Sequence, residues 1–201
     1  MQTTTLSNYS GSEPDAETLS SLLGELRLKH WASGLNLDLA EMMPEQRSMM
    51  LRYLTKWAVT EKSERKAAII ASRIRSARFK RIQTIDRFDF AHHKATAAVE
   101  KQYMSLYNSI GTENLPSAVF TGNAGLGKTH LARALGYAAC QKGISVLFLT
   151  TAEMVNHLAH AQKAFNLESE LSRYRRPQVL IIDELGYVTL DAQASNLFFS
   201  K

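Results

Sequence analysis

Cysteine is nearly absent: Cys140 is the only one in 201 residues, which excludes a disulfide framework. It lies among Ala138, Ala139 and Gly143, where a small buried hydrophobe is expected. No run of about 18 apolar residues occurs, so no membrane span is expected. Met1 to Ser12 is rich in Thr and Ser, with neither a basic start nor an apolar stretch. That excludes a secretory signal and leaves a cytoplasmic location as the default expectation. His30, His92, His93, His130, His157 and His160 fall at no metal-ligand spacing, so no metal site made of protein ligands alone is expected. What remains is ordinary globular composition, 45% hydrophobic and 21% charged, enough for one or two packed units. The net charge of +5 weakly favours a polyanionic partner.

The most informative stretch runs from Leu115 to Leu135. Gly122 to Thr129 reads GNAGLGKT and matches G-x-x-x-x-G-K-[ST]. Before it, Ala118 to Thr121 is apolar, β-branched and aromatic, and is expected to form a buried strand. After it, Leu131, Ala134, Leu135 and Ala138 recur at helical spacing. Strand, glycine-rich loop and helix together make a phosphate cradle. Gly122, Gly125 and Gly127 let the backbone take positive φ and approach a phosphate. The N–H groups of a loop from Gly122 through Asn123, Ala124, Gly125, Leu126 and Gly127 then face inward, and the helix from Lys128 presents its positive end. In this motif Lys128 reaches the terminal phosphates and the Thr129 hydroxyl ligates Mg²⁺. ATP and Mg²⁺ are therefore the expected ligands.

A second stretch, Pro177 to Glu184, is an apolar strand ending in two carboxylates. In a P-loop ATPase an aspartate at Asp183 holds the metal's water shell, and a glutamate at Glu184 orients and deprotonates the attacking water. Both would stand at the carboxyl edge of a parallel sheet, beside the glycine-rich loop. The candidate catalytic residues are thus Glu184 and Lys128.

Along the chain, residues 1–17 read as a polar disordered tail. From Thr18, Leu19, Leu22, Leu23 and Leu26 mark a helix that Gly34 is expected to end. Pro44 opens another, with Met50, Tyr53, Leu54, Trp57 and Ala58 on one face and Met42, Met43, Met49 and Met50 as core filler. Residues 62–81 hold eight basic residues against one acid, Glu64, beside an apolar stripe of Ala67, Ile70, Ile74 and Ala77. Such a helix is either a solvated face or a sequence-independent surface for DNA phosphates. Its candidate contacts are Arg73, Arg75, Arg78, Lys80 and Arg81. A connector from Phe79 to Phe90 and a helix over 92–110 lead to the loop. Ile144 to Leu149 reads as a second buried strand, and Thr150 to Glu153 as a capping box that starts a helix. Leu167 to Arg176 is a further short helix, and 185–201 ends in a helix.

These residues resemble the IstB-like family, AAA+ ATPases that assist insertion-sequence transposases and are related to the DnaC helicase loaders. The similar segments are the leucine-rich Leu19 to Leu28, Phe88 to Phe90, Gly127 to Gly136 with its His130, and Leu180 to Tyr187. The resemblance implies an α/β protein in three parts: a tail at 1–17, a helical DNA- and transposase-interaction domain at 18–85, and a P-loop AAA+ domain at 86–201 with a parallel sheet flanked by helices. It gives Lys128, Thr129, Asp183 and Glu184 their ATP and Mg²⁺ roles, places His130 beside the nucleotide, and sets 151–176 against DNA. It also implies ATP-dependent homo-oligomers on DNA that stimulate a cognate transposase, with no membrane involvement. The family's strand order is 5-1-4-3-2. Its later strands, sensor residue and arginine finger lie beyond the Asp-Glu strand, so this chain, ending at Lys201, is expected to be a truncated member. Little hydrolysis is then expected, although the intact family hydrolyses ATP. The alternatives are a DnaC-like loader of a replicative helicase and an inactive truncated binding module.

Overall fold

The computed structural model describes residues 15–113 and 116–185. Within them the chain divides into two compact units, one up to Ala68 and one from Ile69.

The first unit is helical. Helix α1 (Ala16–Glu25) starts at Asp15, whose carboxylate accepts from the Thr18 N–H at 2.6 Å. This Asx cap satisfies one of the helix's free donors, so residues 15–17, expected in the tail, belong to this helix and its cap. Helix α2 (Lys29–Ala40) runs straight through Gly34; one glycine costs about 1 kcal/mol in a helix interior, and leucine packing outweighs it. Helix α3 (Pro44–Ser76) runs on without a break where the composition turns basic after residue 62. Leu19, Leu23, Leu26, Leu39, Leu51 and Ala58 form the core of this unit. The Arg65 guanidinium donates to the Leu26 carbonyl at 2.9 Å, and Lys62 pairs with Glu25 at 2.6 Å, so two of the basic residues complement the C-terminal end of α1. Of the methionines expected as core filler, Met42 packs against this core, but Met43, Met49 and Met50 are exposed, as are Tyr53 and Trp57. The helix turns Leu51, Thr55 and Ala58 inward instead.

The second unit is α/β. Two single 3₁₀ turns, Ile85–Arg87 and Phe90–His92, precede helix α4 (Lys94–Asn108). Helix α5 (Lys128–Gln141) follows the glycine-rich loop. Then come β1 (Val146–Thr150), α6 (Thr151–Lys163), α7 (Leu167–Arg175) and β2 (Val179–Asp183). The strands pair in parallel, from Val146 beside Val179 to Thr150 beside Asp183. Helix α6 has the full capping box between Thr150 and Glu153. Its hydrogen bond from the Thr150 backbone holds the Glu153 carboxyl below the usual glutamate value, against the opposing effect of burial. The outer edge of β1 is covered by the segment after α3, where the Ala77 carbonyl accepts from the Phe148 N–H at 3.0 Å. That blunts one open strand edge. Cys140 is fully buried, and burial pushes its thiol up to about 11.

One expected strand is missing. Residues 116–121 are not part of a ladder, and Val119 is 77% exposed. Its sequence is strand-like, but no described strand lies alongside it, and without a neighbour's N–H and C=O groups the segment cannot become a strand. The expected helix after residue 185 lies outside the described residues.

Candidate functional site

The glycine-rich loop owes its shape to backbone that other residues resist. Gly122, Gly125 and Gly127 have φ of 143°, 84° and 77°. At Gly127 a Cβ would also collide with the Phe88 ring, so the position has neither the conformation nor the room for a side chain. Gly127 ends the loop as the N-cap of α5, whose first turn is Lys128, Thr129 and His130.

Each of these three side chains has a partner. Lys128 Nζ donates to the carbonyls of Gly122 and Asn123, both at 2.8 Å, so the ammonium sits inside the loop it follows. Thr129 Oγ1 donates to Asp183 Oδ1 at 3.1 Å. That bond joins residues 54 apart in sequence and brings the loop to the end of β2, as the motifs required. His130 Nε2 donates to the Thr84 carbonyl at 2.9 Å, and its ring meets the edge of Phe88. His130 thus ties the connector to the loop helix in this arrangement, rather than facing the loop interior.

Glu184 follows Asp183 with φ of 63°, exposed, and its N–H donates to Asp183 Oδ1 at 3.0 Å. A non-glycine residue in the left-handed region stores strain that the surroundings must hold. Thr151 helps to hold it, since its fully buried hydroxyl donates to the Asp183 carbonyl at 3.1 Å. The acidic pair is therefore fixed from both sides, by α5 and by the first turn of α6. Behind the loop, Tyr103 donates to the Leu131 carbonyl at 3.0 Å, and burial pushes its phenol up. A groove of about 730 Å³ between α4 and residues 116–122 opens onto Lys128.

The residues fit a nucleotide triphosphate with its metal. Positive φ at Gly122, Gly125 and Gly127 gives the loop the shape of a phosphate cradle, and Lys128, Thr129 and Asp183 converge beside it. Missed by sequence reasoning were the role of Thr151, which carries no motif signal of its own, and the direct contact of Phe88 with the loop.

The basic candidates separate. Arg73 donates to the Gly143 carbonyl at 3.0 Å and is engaged within its own unit. Arg75 and Arg81 are exposed. Arg78 and Lys80 line a small cleft with Arg133 and Arg173.

Fold and loop together define a P-loop nucleotide-binding α/β protein with a helical unit before it. The family model described as IstB-like ATP binding protein matches residues 21–201, and the chain belongs to that family. It is similar to the ATP-binding protein of insertion sequence IS232 from Bacillus thuringiensis subsp. berliner, 31% identical over 91% of this chain and 72% of the relative. The ATP-binding protein of IS5376 from Geobacillus stearothermophilus is 33% identical over 68% of this chain and 53% of its own length. The replicative helicase loader DnaC of Buchnera aphidicola is 32% identical over 47% of this chain. No described helix is long and apolar enough to cross a membrane.

Proposed function

We propose that this protein is an ATP- and Mg²⁺-binding helper of insertion-sequence transposition, which engages DNA through its backbone and assists a cognate transposase. The observation that carries the reading is the 3.1 Å bond from Thr129 to Asp183, because it brings together the P-loop threonine and the strand-end aspartate that would hold a metal ion and its water shell. Gly122, Asn123, Ala124, Gly125, Leu126 and Gly127 would wrap the phosphates with backbone N–H groups, and Lys128 would leave the Gly122 and Asn123 carbonyls for phosphate oxygens. Thr129 and Asp183 would hold Mg²⁺, which when bound offsets the phosphates' negative charge. Glu184, exposed beside Asp183, would orient and deprotonate water.

In the helical unit, Met49, Met50, Tyr53 and Trp57 leave an apolar strip exposed on α3. It supports contact with a protein partner, since Met and aromatic residues are enriched at such contacts. ATP-dependent homo-oligomers on DNA belong to the same reading. The likeness to DnaC supports a second one, loading of a replicative helicase, which co-purification with a helicase rather than a transposase would favour. The test of the leading reading is MgATP titration of the chain and of Lys128→Ala. Loss of charge-assisted bonds should weaken binding on the order of a hundredfold. Equal binding by both would refute the loop's role.

A further inference from the structure

The second unit has a cleft that the nucleotide reading does not use. Its volume is about 160 Å³, below the roughly 300–1,000 Å³ of sites for drug-sized ligands. Arg78 and Lys80 reach it from the segment after α3, Arg133 from α5 and Arg173 from α7, with Phe148 of β1 as its apolar wall. Four cations from three parts of the chain converge on a space suited to one small anion.

Carboxylates offset only part of this charge, and Glu153 itself lines the cleft. Glu153 lies 3.5 Å from Lys80 but is already bound into the capping box by the Thr150 N–H at 2.8 Å. Glu170 pairs with Arg173 at 2.9 Å. Arg78 has no carboxylate partner among the described residues. Arg133 stacks its guanidinium over the Phe148 ring at 5.0 Å. Its Nη1 has only a long contact of 3.4 Å with Gln83, and its buried Nε has no partner among the described residues. A buried N–H left unbonded beside an aromatic platform is costly unless an acceptor arrives. Arg78 is also held in place, with φ of 62° directly after the carbonyl that bonds to β1.

We propose that this cleft is a phosphate site that takes a backbone phosphate of DNA. The inference deepens the DNA-binding part of the proposed function and rests on it. Guanidinium forks match phosphate oxygens in pairs, and a site this small reads backbone charge rather than base identity. It puts DNA contact beside β1 in the ATPase unit, next to the 151–176 segment that the family resemblance sets against DNA, rather than on the open face of α3, where Arg75 stands.

The test uses the full chain and a short fluorescein-labelled duplex of scrambled sequence, titrated across a range of KCl. Arg78→Gln and Arg133→Gln should each weaken binding about tenfold, a typical loss for one charged contact. Each should also lower the slope of log affinity against log salt by about 0.9. Lys101→Gln, exposed on α4, should change neither. Retained MgATP binding by each variant certifies its fold; if Arg133→Gln loses its packing on Phe148, Arg78→Gln with Lys80→Gln carries the test. Unchanged duplex binding by those variants, or an equal loss in Arg75→Gln alone, overturns the cleft while leaving DNA binding intact. A wild-type chain that binds no duplex overturns both. Displacement of the duplex by inorganic phosphate, beyond that by KCl of equal ionic strength, assigns the cleft to a free oxyanion and overturns the backbone source.

Discussion

Val146–Thr150 and residues 116–121 carry the same sequence signal, a short apolar run with β-branched and aromatic residues, yet one is a strand and the other is not. β1 pairs with β2 along one edge, meets the Ala77 carbonyl on the other, and buries Val146, Leu147, Phe148 and Leu149. The run before the glycine-rich loop has no described strand beside it, only α4 through Phe120 and Tyr103, and leaves Val119 exposed. A strand is a property of a pair, because its backbone groups need partners outside the segment. The glycine-rich loop keeps its shape nonetheless. Its glycines, the Lys128 bonds to Gly122 and Asn123, and the α5 N-terminus are all local, and Thr129 anchors it to β2.

Substitutions can break this contrast directly. Phe148→Ala should cost about 3–5 kcal/mol, as for other large buried side chains, and remove the platform under Arg133. Val119→Ala should change stability by less than about 0.5 kcal/mol, as at exposed sites. Chemical denaturation of the two variants measures the difference, and similar values would mean that 116–121 is packed after all. Gly136→Ala comes next. Its Cβ would lie 2.7 Å from Ile181 and 3.0 Å from Phe79, so overpacking between α5 and β2 should cost about 1–3 kcal/mol, seen as a lower Tm. Thr150→Ala removes the cap of α6 and should cost about 1 kcal/mol.

The smallest effect is that of pH. Glu153 is held low by the Thr150 backbone bond. Glu170 is held low because Tyr174, Arg173 and His157 outweigh the opposing effect of its burial. A carboxyl depressed in the folded state stabilises it fully above the ordinary value of 4.5, and that contribution is lost as pH falls through the folded value. Tm should therefore drop below about pH 4.5, and the drop should be shallower in Glu170→Gln. An equal drop in that variant would remove Glu170 from the explanation.

The site was largely legible in the sequence because its parts are local motifs. Gly122 to Thr129 and Asp183 with Glu184 could be named without coordinates, and so could the Thr150 capping box. What was not legible depends on neighbours. Gly34 sits inside α2 because leucines on either side pack. Met49 and Met50 of α3 were expected in the core but are exposed, because periodicity says that a stripe exists, not which stripe turns inward. Arg133 and Arg173 joined Arg78 and Lys80 only once the segment after α3 lay along β1. Arg73 left the DNA candidates for a carbonyl 70 residues away.

Amide hydrogen exchange, with and without MgATP, tests the account most directly. The amides of β1 and β2 should exchange slowly in both states, those of 117–121 quickly without nucleotide, and those of Gly125 to Thr129 should slow markedly when MgATP is added. Loop amides that exchange equally fast with MgATP would contradict the claim that this loop, held by its glycines, Lys128 and Asp183, is the nucleotide cradle.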